Sequence, residues 1–159
     1  YTYDVVDLGY NYRIDEMRSA IGRVQLGKLP AYNQRRKHLT SLYRELLSEL
    51  SPGVQMPFGE GRGTSCHHIL PVLLPSATDR IPFMEALKQR GIQTSIHYPP
   101  IHHFKIYHDD WQKRGAKLPF TEEAAAHQVT LPLYPGMRDE QVQWVVQAVK
   151  EGLQESDAR

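Results

Sequence analysis

The sequence has little of what marks disulfide-rich, membrane-spanning or nucleic-acid-binding proteins. Its 159 residues contain one cysteine, Cys66, which excludes an internal disulfide and fits a reducing cytoplasm, where we expect the protein. No apolar run approaches the ~20 residues that cross a bilayer, and no signal-peptide pattern stands at the start. Nineteen Lys and Arg residues against eighteen Asp and Glu residues leave a net charge of +1. We therefore expect neither a nucleic acid nor a membrane as partner.

The sequence also does not begin with methionine. It opens directly on an alternating, strand-like run at residues 1–6. We therefore expect a fragment or a processed product. Hydrophobic residues make up 40% of the chain and charged residues 23%, which is typical of a globular protein and not of a disordered one. A chain of this length forms one domain of ordinary size and needs no disulfide or metal to fold.

Apolar periodicity predicts a pair of helices in the first third of the chain. Four residues recur at helical spacing in the first helix, which closes near Gly27: Met17, Ala20, Ile21 and Val24. Pro30 starts the second helix, because its missing N–H is not needed in a first turn. An apolar stripe follows in this helix before Pro52 ends it: Leu39, Leu42, Tyr43, Leu46, Leu47 and Leu50.

Strands and helices alternate after a Gly-rich connection at residues 59–63. Short strands are predicted at residues 68–74, 92–98 and 129–133, with prolines in or directly after them. Between them, Asp79 caps a helix that ends at Gly91, and Thr121 begins a short Ala-rich helix. The last helix carries a further apolar stripe: Val142, Val145, Val146, Val149 and Leu153.

These elements predict an α+β fold, in which a helical pair precedes a small sheet of about three strands flanked by helices. Because the strands are short and marked by proline, we expect an antiparallel or mixed sheet. The predicted strand end and helical pair occupy residues 1–53, the small domain residues 54–153, and a frayed tail residues 154–159.

Eight histidines raise the question of a metal site. Zinc sites favour tight spacings such as Cys-x-x-Cys or His-x-x-x-His, and neither occurs here. His102 follows His97 by five positions, across two prolines. We expect no metal, with His67, His103 and His108 as surface or capping residues. A small metal protein is the alternative, and stoichiometric zinc would reveal it.

Two polar segments are candidates for ligand binding. Residues 97–102 (HYPPIH) end a predicted strand and are stiffened by two prolines, so they present imidazole and phenol groups at a rigid edge. A rigid connector with incidental polar side chains explains them equally well. Residues 9–13 (GYNYR) combine the Asn11 amide with the Arg13 guanidinium, a pair suited to phosphate oxygens. The simpler interpretation is a turn that leads into the helix, in which Asn11 caps the helix and Arg13 is solvated.

A complete set of catalytic groups is missing from the sequence. It has no nucleophile elbow and no Gly-rich phosphate loop before a helix. None of its lysines lies in an apolar context that would lower a lysine pKa. Taken alone, this chain does not hold a complete active site.

Several motifs in order resemble one family. Residues 9–29 resemble the GYNYRM-x-x-x-x-AAIG-x-x-QL-x-KL signature of the DegT/DnrJ/StrS sugar aminotransferases, which use pyridoxal phosphate. Further matches follow along the chain: Arg35-Arg36, residues 68–72, 90–92 and 97–102, Leu118-Pro119 and residues 131–136. The resemblance spans about residues 8 to 152.

The resemblance implies that a large part of the enzyme lies outside this chain. Family members are more than twice this length and have a fold like that of aspartate aminotransferase. The chain resembles their C-terminal part, including the small domain. The Schiff-base lysine, the Asp that pairs with the pyridine nitrogen and most of the phosphate cradle come earlier in the family. The resemblance therefore implies that this chain has no catalytic residue, is inactive alone and binds no pyridoxal phosphate by itself.

The same resemblance assigns binding roles to five residues. Family active sites form at a homodimer interface, where Asn11 would reach the cofactor phosphate held by the partner subunit, with Arg13 nearby. His97, Tyr98 and His102 would contact the sugar nucleotide. The parent enzyme would transfer an amino group, from glutamate, to a nucleotide-linked keto sugar. The alternative is a non-catalytic binding or regulatory module of the same family.

Overall fold

The structure of the chain, a computed structural model, describes residues 7–10, 12–59, 63–115 and 117–157. Within these ranges the chain forms, in order, α1 (Glu16–Leu50), β1 (Leu70–Leu73), α2 (Arg80–Gln89), a 3₁₀ turn (Ile101–His103), α3 (Lys105–Arg114), α4 (Pro119–His127), β2 (Gln128–Leu131) and α5 (Asp139–Asp157). Among the described helices, none combines the length and the apolar character that crossing a bilayer requires.

The first third of the chain forms one long helix, so the predicted helical pair is wrong. α1 begins after Asp15, whose carboxylate accepts a hydrogen bond from the Arg18 N–H (2.8 Å), and continues through Pro30 to Leu50. An interior proline removes one helical hydrogen bond and crowds the preceding turn. Residues 20–32 are all exposed, so water can hydrate the carbonyl that loses its donor. The helix therefore continues past the proline.

The core lies between the second half of α1, the sheet, α2 and α5. α5 packs against both α1 and α2, and the valines of its predicted stripe at 142, 145, 146 and 149 are buried. Gly152 lets α5 approach α2 closely, because a Cβ there would lie 3.1 Å from Leu87 Cδ1 and 3.3 Å from Phe83 Cδ2. Leu39, Tyr43 and Leu47 of α1 belong to the same core. The division at residue 53 stays a prediction, but one core joins the two sides of it.

The sheet has two strands where about three were predicted. β1 and β2 are antiparallel, with Leu70 opposite Leu131 and Leu73 opposite Gln128. The segment predicted as the remaining strand makes one isolated bridge, in which Ser95 and Thr130 exchange backbone hydrogen bonds of 2.8 and 3.2 Å. The prolines at 99 and 100 have no N–H to donate, so they cannot extend this pairing.

The later helices follow their sequence signals to different degrees. α2 is confirmed: the Asp79 carboxylate accepts from the Ile81 N–H (3.1 Å), and the helix ends before Gly91, whose φ is +75°. α4 begins at Pro119, two residues ahead of Thr121. α5 extends through Asp157, into the segment expected as a frayed tail. The 3₁₀ turn and α3 were not predicted.

Candidate functional site

The residues assigned to a site lie on two parts of the chain. Arg13 is exposed on the approach to α1, whereas Asn11 lies outside the described residues. His97, Tyr98 and His102 lie on the segment that leads from the isolated β-bridge into α3. This segment forms an edge of the molecule beside β2 and α4, as the contacts below show.

His97 is held against β2 by polar side chains. Its Nδ1 lies 2.9 Å from Thr130 Oγ1 and 3.4 Å from Ser95 Oγ, and Gln128 Nε2 donates to the same Thr130 oxygen at 3.1 Å. Gln128 and Thr130 are buried, and buried polar groups need such partners. The contact at Nδ1 fixes the ring, so a ligand would meet the other nitrogen, Nε2. The polar pair in an otherwise apolar strand was the sequence signal for this support, and the sequence analysis missed it.

Tyr98 projects from the same segment and is 71% exposed. Its ring meets the His97 ring edge to face, with centroids 4.8 Å apart at 75°. The peptide bond between the two residues is cis. An exposed phenol beside a fixed imidazole offers a flat apolar face together with hydrogen-bonding groups. This combination is suited to a sugar or a base.

His102 lies a few residues further on and contacts α4. Its Nε2 lies 2.5 Å from Glu122 Oε1, and Nε2 of His103 lies 2.8 Å from the same oxygen. The hydrogen bond from His102 holds the pKa of Glu122 below its ordinary value; partial burial opposes this effect, and His103 adds to it. The His102 side chain is only 10% exposed, while those of His103 and Glu122 are about half exposed. Sequence spacing missed this group, because Glu122 follows His103 by nineteen positions.

A second carboxylate with two basic partners lies at the start of α5. Asp139 Oδ1 accepts from Arg35 (2.8 Å), and Asp139 Oδ2 lies 2.8 Å from His38 Nε2. The hydrogen bond from His38 lowers the pKa of Asp139; desolvation opposes this effect, and the hydrogen bond from Arg35 adds to it. Arg35 also donates to the Met137 carbonyl at 2.6 Å. This group ties α1 to α5, so its role is structural, and the sequence analysis did not find it.

The described lysine side chains lie at or near the surface. Five of the six with described side chains are exposed and the sixth is half buried: Lys28, Lys37, Lys88, Lys105, Lys117 and Lys150. A Schiff-base lysine needs a setting that lowers its pKa, such as an apolar pocket or a neighbouring cation. Among the described lysine side chains, none is buried in such a setting.

The first half of α1 presents an apolar face that no described residue covers. Met17, Ile21 and Val24, spaced by four and three residues, are 77%, 63% and 58% exposed. This face begins a few residues after Arg13. Contiguous exposed apolar residues at helical spacing mark a surface that another chain or domain covers.

Comparison with known structures places the fold in a class of enzymes. The structure is similar to Helicobacter pylori PseC, an aminotransferase involved in the biosynthesis of pseudoaminic acid. The TM-score is 0.84 at 26% sequence identity, and the match covers 96% of this chain and 41% of that one. The fold is thus that of part of an aminotransferase.

The family follows from the sequence match. The model of the DegT/DnrJ/EryC1/StrS aminotransferase family matches residues 1–150, and the chain belongs to this family. It is 34% identical over 152 residues, 94% of its length, to a dTDP-4-dehydro-2,3,6-trideoxy-D-glucose 4-aminotransferase from Saccharopolyspora spinosa. It is 32% identical over 145 residues, 91% of its length, to a pleiotropic regulatory protein from Geobacillus stearothermophilus. The chain spans 37% and 38% of these two relatives.

Proposed function

We propose that the chain is the C-terminal part of a pyridoxal-phosphate-dependent aminotransferase that moves an amino group, with glutamate as donor, to a nucleotide-linked keto sugar. The observation that carries this proposal is the family match over residues 1–150. The relative from S. spinosa supports the substrate class, since its name specifies a dTDP-linked dehydro sugar.

The cofactor would be held mainly by residues outside this chain. When bound, pyridoxal phosphate supplies the electron sink that amino transfer requires. The contribution of this chain is binding: Asn11 and Arg13 would donate hydrogen bonds to phosphate oxygens. Because none of its described lysines lies in a buried setting, the chain alone is expected to be inactive and to retain no cofactor.

The edge formed by His97, Tyr98 and His102 would bind the sugar nucleotide. His97 is held at Nδ1 by Thr130, so its Nε2 would form the hydrogen bond to a hydroxyl or phosphate oxygen. The exposed Tyr98 ring would pack against the sugar or the base. His102 would contact the sugar nucleotide from the side of the segment that faces α4. Each of these residues orients substrate, and none moves a proton in the proposed scheme.

The parent enzyme is proposed to be a cytoplasmic homodimer with active sites at the subunit interface. In that arrangement Asn11 and Arg13 would reach the phosphate bound by the partner subunit. The exposed apolar face of α1 supports a covered surface next to these residues.

The second candidate function is a non-catalytic regulatory module. The 32% identity to a pleiotropic regulatory protein favours it. The two functions differ in one chemical requirement, because only the aminotransferase needs a lysine that binds the cofactor covalently.

Borohydride reduction of the native protein that contains this chain separates the two functions. The protein is loaded with pyridoxal phosphate, reduced and digested, and its peptides are analysed by mass spectrometry. If it is an aminotransferase, one phosphopyridoxyl-lysine peptide is expected, and that peptide comes from outside residues 1–159. An unlabelled protein contradicts the proposal and favours the regulatory module. A label on a lysine within this chain would contradict the division of roles.

Variants of the labelled protein then test the assigned residues. Asn11→Ala should weaken retention of the cofactor. His97→Asn should raise the KM for the keto sugar at least tenfold while cofactor absorbance stays unchanged. His38→Asn is the matched control, because His38 contacts Asp139 instead. Loss of cofactor in His97→Asn, or an equal KM change in the control, would refute the role given to His97.

A further inference from the structure

His102, His103 and Glu122 bring three metal-ligating atoms together from two separate elements. One ring nitrogen from each histidine and a Glu122 carboxylate oxygen all lie within 4.8 Å of one another. Both Nε2 atoms lie within hydrogen-bond distance of one carboxylate oxygen, Oε1, at 2.5 and 2.8 Å. No other group of three such side chains meets this distance among the residues searched in the described ranges.

The backbone on both sides of this group is fixed. In the 3₁₀ turn the His103 N–H donates to the Pro100 carbonyl and the Phe104 N–H to the Ile101 carbonyl, both at 3.0 Å. On α4 the Glu122 N–H donates to the Leu118 carbonyl at 3.0 Å, in the first turn. The ligand-bearing side chains therefore extend from ordered backbone, which lowers the entropy lost on binding.

The spacing of the atoms suits a transition metal after a small adjustment. In a tetrahedral site with metal–ligand distances of about 2.0–2.1 Å, neighbouring ligand atoms lie about 3.3 Å apart. Glu122 Oε1 would have to move about 0.5–0.8 Å away from the two nitrogens, as a metal replaces the protons between them. The half-exposed side chains of His103 and Glu122 permit this movement.

The ligand types select the metal class. Two imidazoles and one carboxylate suit Zn²⁺ and related first-row ions, whereas Mg²⁺ and Ca²⁺ favour all-oxygen sites. We propose that His102, His103 and Glu122 form a binding site for a divalent transition-metal ion of the Zn²⁺ type, with water in the remaining position. The bound ion would join the 3₁₀ turn to α4 and so steady the segment that carries His97 and Tyr98. The ion would also occupy His102 Nε2, so in the metal-bound protein the proposed contacts to the sugar nucleotide would come from His97 and Tyr98.

The Asp139 group provides a control inside the same molecule. It too has a carboxylate within 2.8 Å of an imidazole Nε2, but its other partner is Arg35. A guanidinium stays protonated and cannot ligate a metal, and its charge repels one. His38 and Asp139 should therefore bind no metal ion.

Titration of the metal-free, tag-free native protein with Co²⁺ tests the site, with visible absorption reporting coordination and Zn²⁺ competition following. We expect one equivalent of Co²⁺ to bind through these residues and Zn²⁺ to displace it. Glu122→Gln, which keeps the size and loses the charge, and His103→Gln should each weaken binding at least about tenfold, while His38→Asn should not change it. Unfolding of each metal-free variant by urea would show that the fold is kept.

Two results would overturn the proposal. The first is the failure of the protein to bind one equivalent of Co²⁺. The three side chains would then interact only through hydrogen bonds. The second is an affinity in Glu122→Gln and His103→Gln equal to that in His38→Asn, which would place the bound metal elsewhere. Neither result bears on the borohydride test, because cofactor attachment and metal binding are read from different signals.

Discussion

The two halves of α1 have the same kind of apolar periodicity and opposite environments. Leu47 in the second half is 1% exposed and packs in the core, whereas Ile21, on the apolar face of the first half, is 63% exposed, and Leu26 on the other side of the helix is 68% exposed. α5 covers the second half, and no described residue covers the first. Periodicity therefore predicts that a helix face is to be buried, but not what buries it.

The difference between the halves agrees with the proposed function. The second half packs into the core, where the chain itself supplies the covering residues. The first half leads from Arg13, and the chain spans only 37% of its relative from S. spinosa. In the proposed parent enzyme, residues outside this chain would cover that face.

The largest expected difference in stability is between two Leu→Ala substitutions, one in each half of α1. Leu47→Ala should lower the free energy of unfolding by about 3 kcal/mol, because it removes buried methyl groups and leaves a cavity. Leu26→Ala should change it by less than about 0.5 kcal/mol, since the side chain is already in water. Urea unfolding of the 159-residue chain measures both. Equal losses would mean that the first half is buried in solution and would break the comparison.

A smaller effect is expected from removing one hydroxyl. Tyr43 donates to the Pro132 carbonyl at 2.9 Å, and burial raises the pKa of its phenol, so the group stays protonated and able to donate. Tyr43→Phe should cost about 1–2 kcal/mol, because it leaves a carbonyl without its partner.

Tyr32→Phe, at the exposed end of the first half, is the matched control for Tyr43→Phe. It should change the free energy of unfolding by less than about 0.5 kcal/mol. If Tyr32→Phe lowered the free energy of unfolding as much as Tyr43→Phe does, the loss would come from removing any tyrosine hydroxyl and not from the burial of Tyr43.

Local signals in the sequence predicted well what local interactions decide. The Asp79 cap, the turn at Gly91 and the valine stripe of α5 are confirmed, because each depends on residues within a few positions. Pro30 was misread as a helix start, since the cost of an interior proline depends on whether water reaches the affected turn. The pairing of His103 with Glu122 was missed because it joins elements nineteen positions apart, across a helix that the sequence analysis did not predict.

The smallest expected effect concerns the point where α1 passes from exposed to buried. His38 and Arg35 hold the Asp139 carboxylate there, and the hydrogen bond from His38, followed by that from Arg35, lowers its pKa below the ordinary value of 3.8. A lowered folded-state pKa stabilises the fold at pH values above the unfolded-state pKa, and this stabilisation is lost as the pH falls through the folded-state value.

Asp139→Asn should therefore be less stable than the native chain at pH 7 and pH 5, with the difference shrinking towards pH 3. Urea unfolding at the three pH values measures it, and Glu140→Gln removes a charge from the same turn as control. A difference that stays constant with pH would show that Asp139 contributes through packing, and the charged junction between the two halves of α1 would then have no electrostatic role.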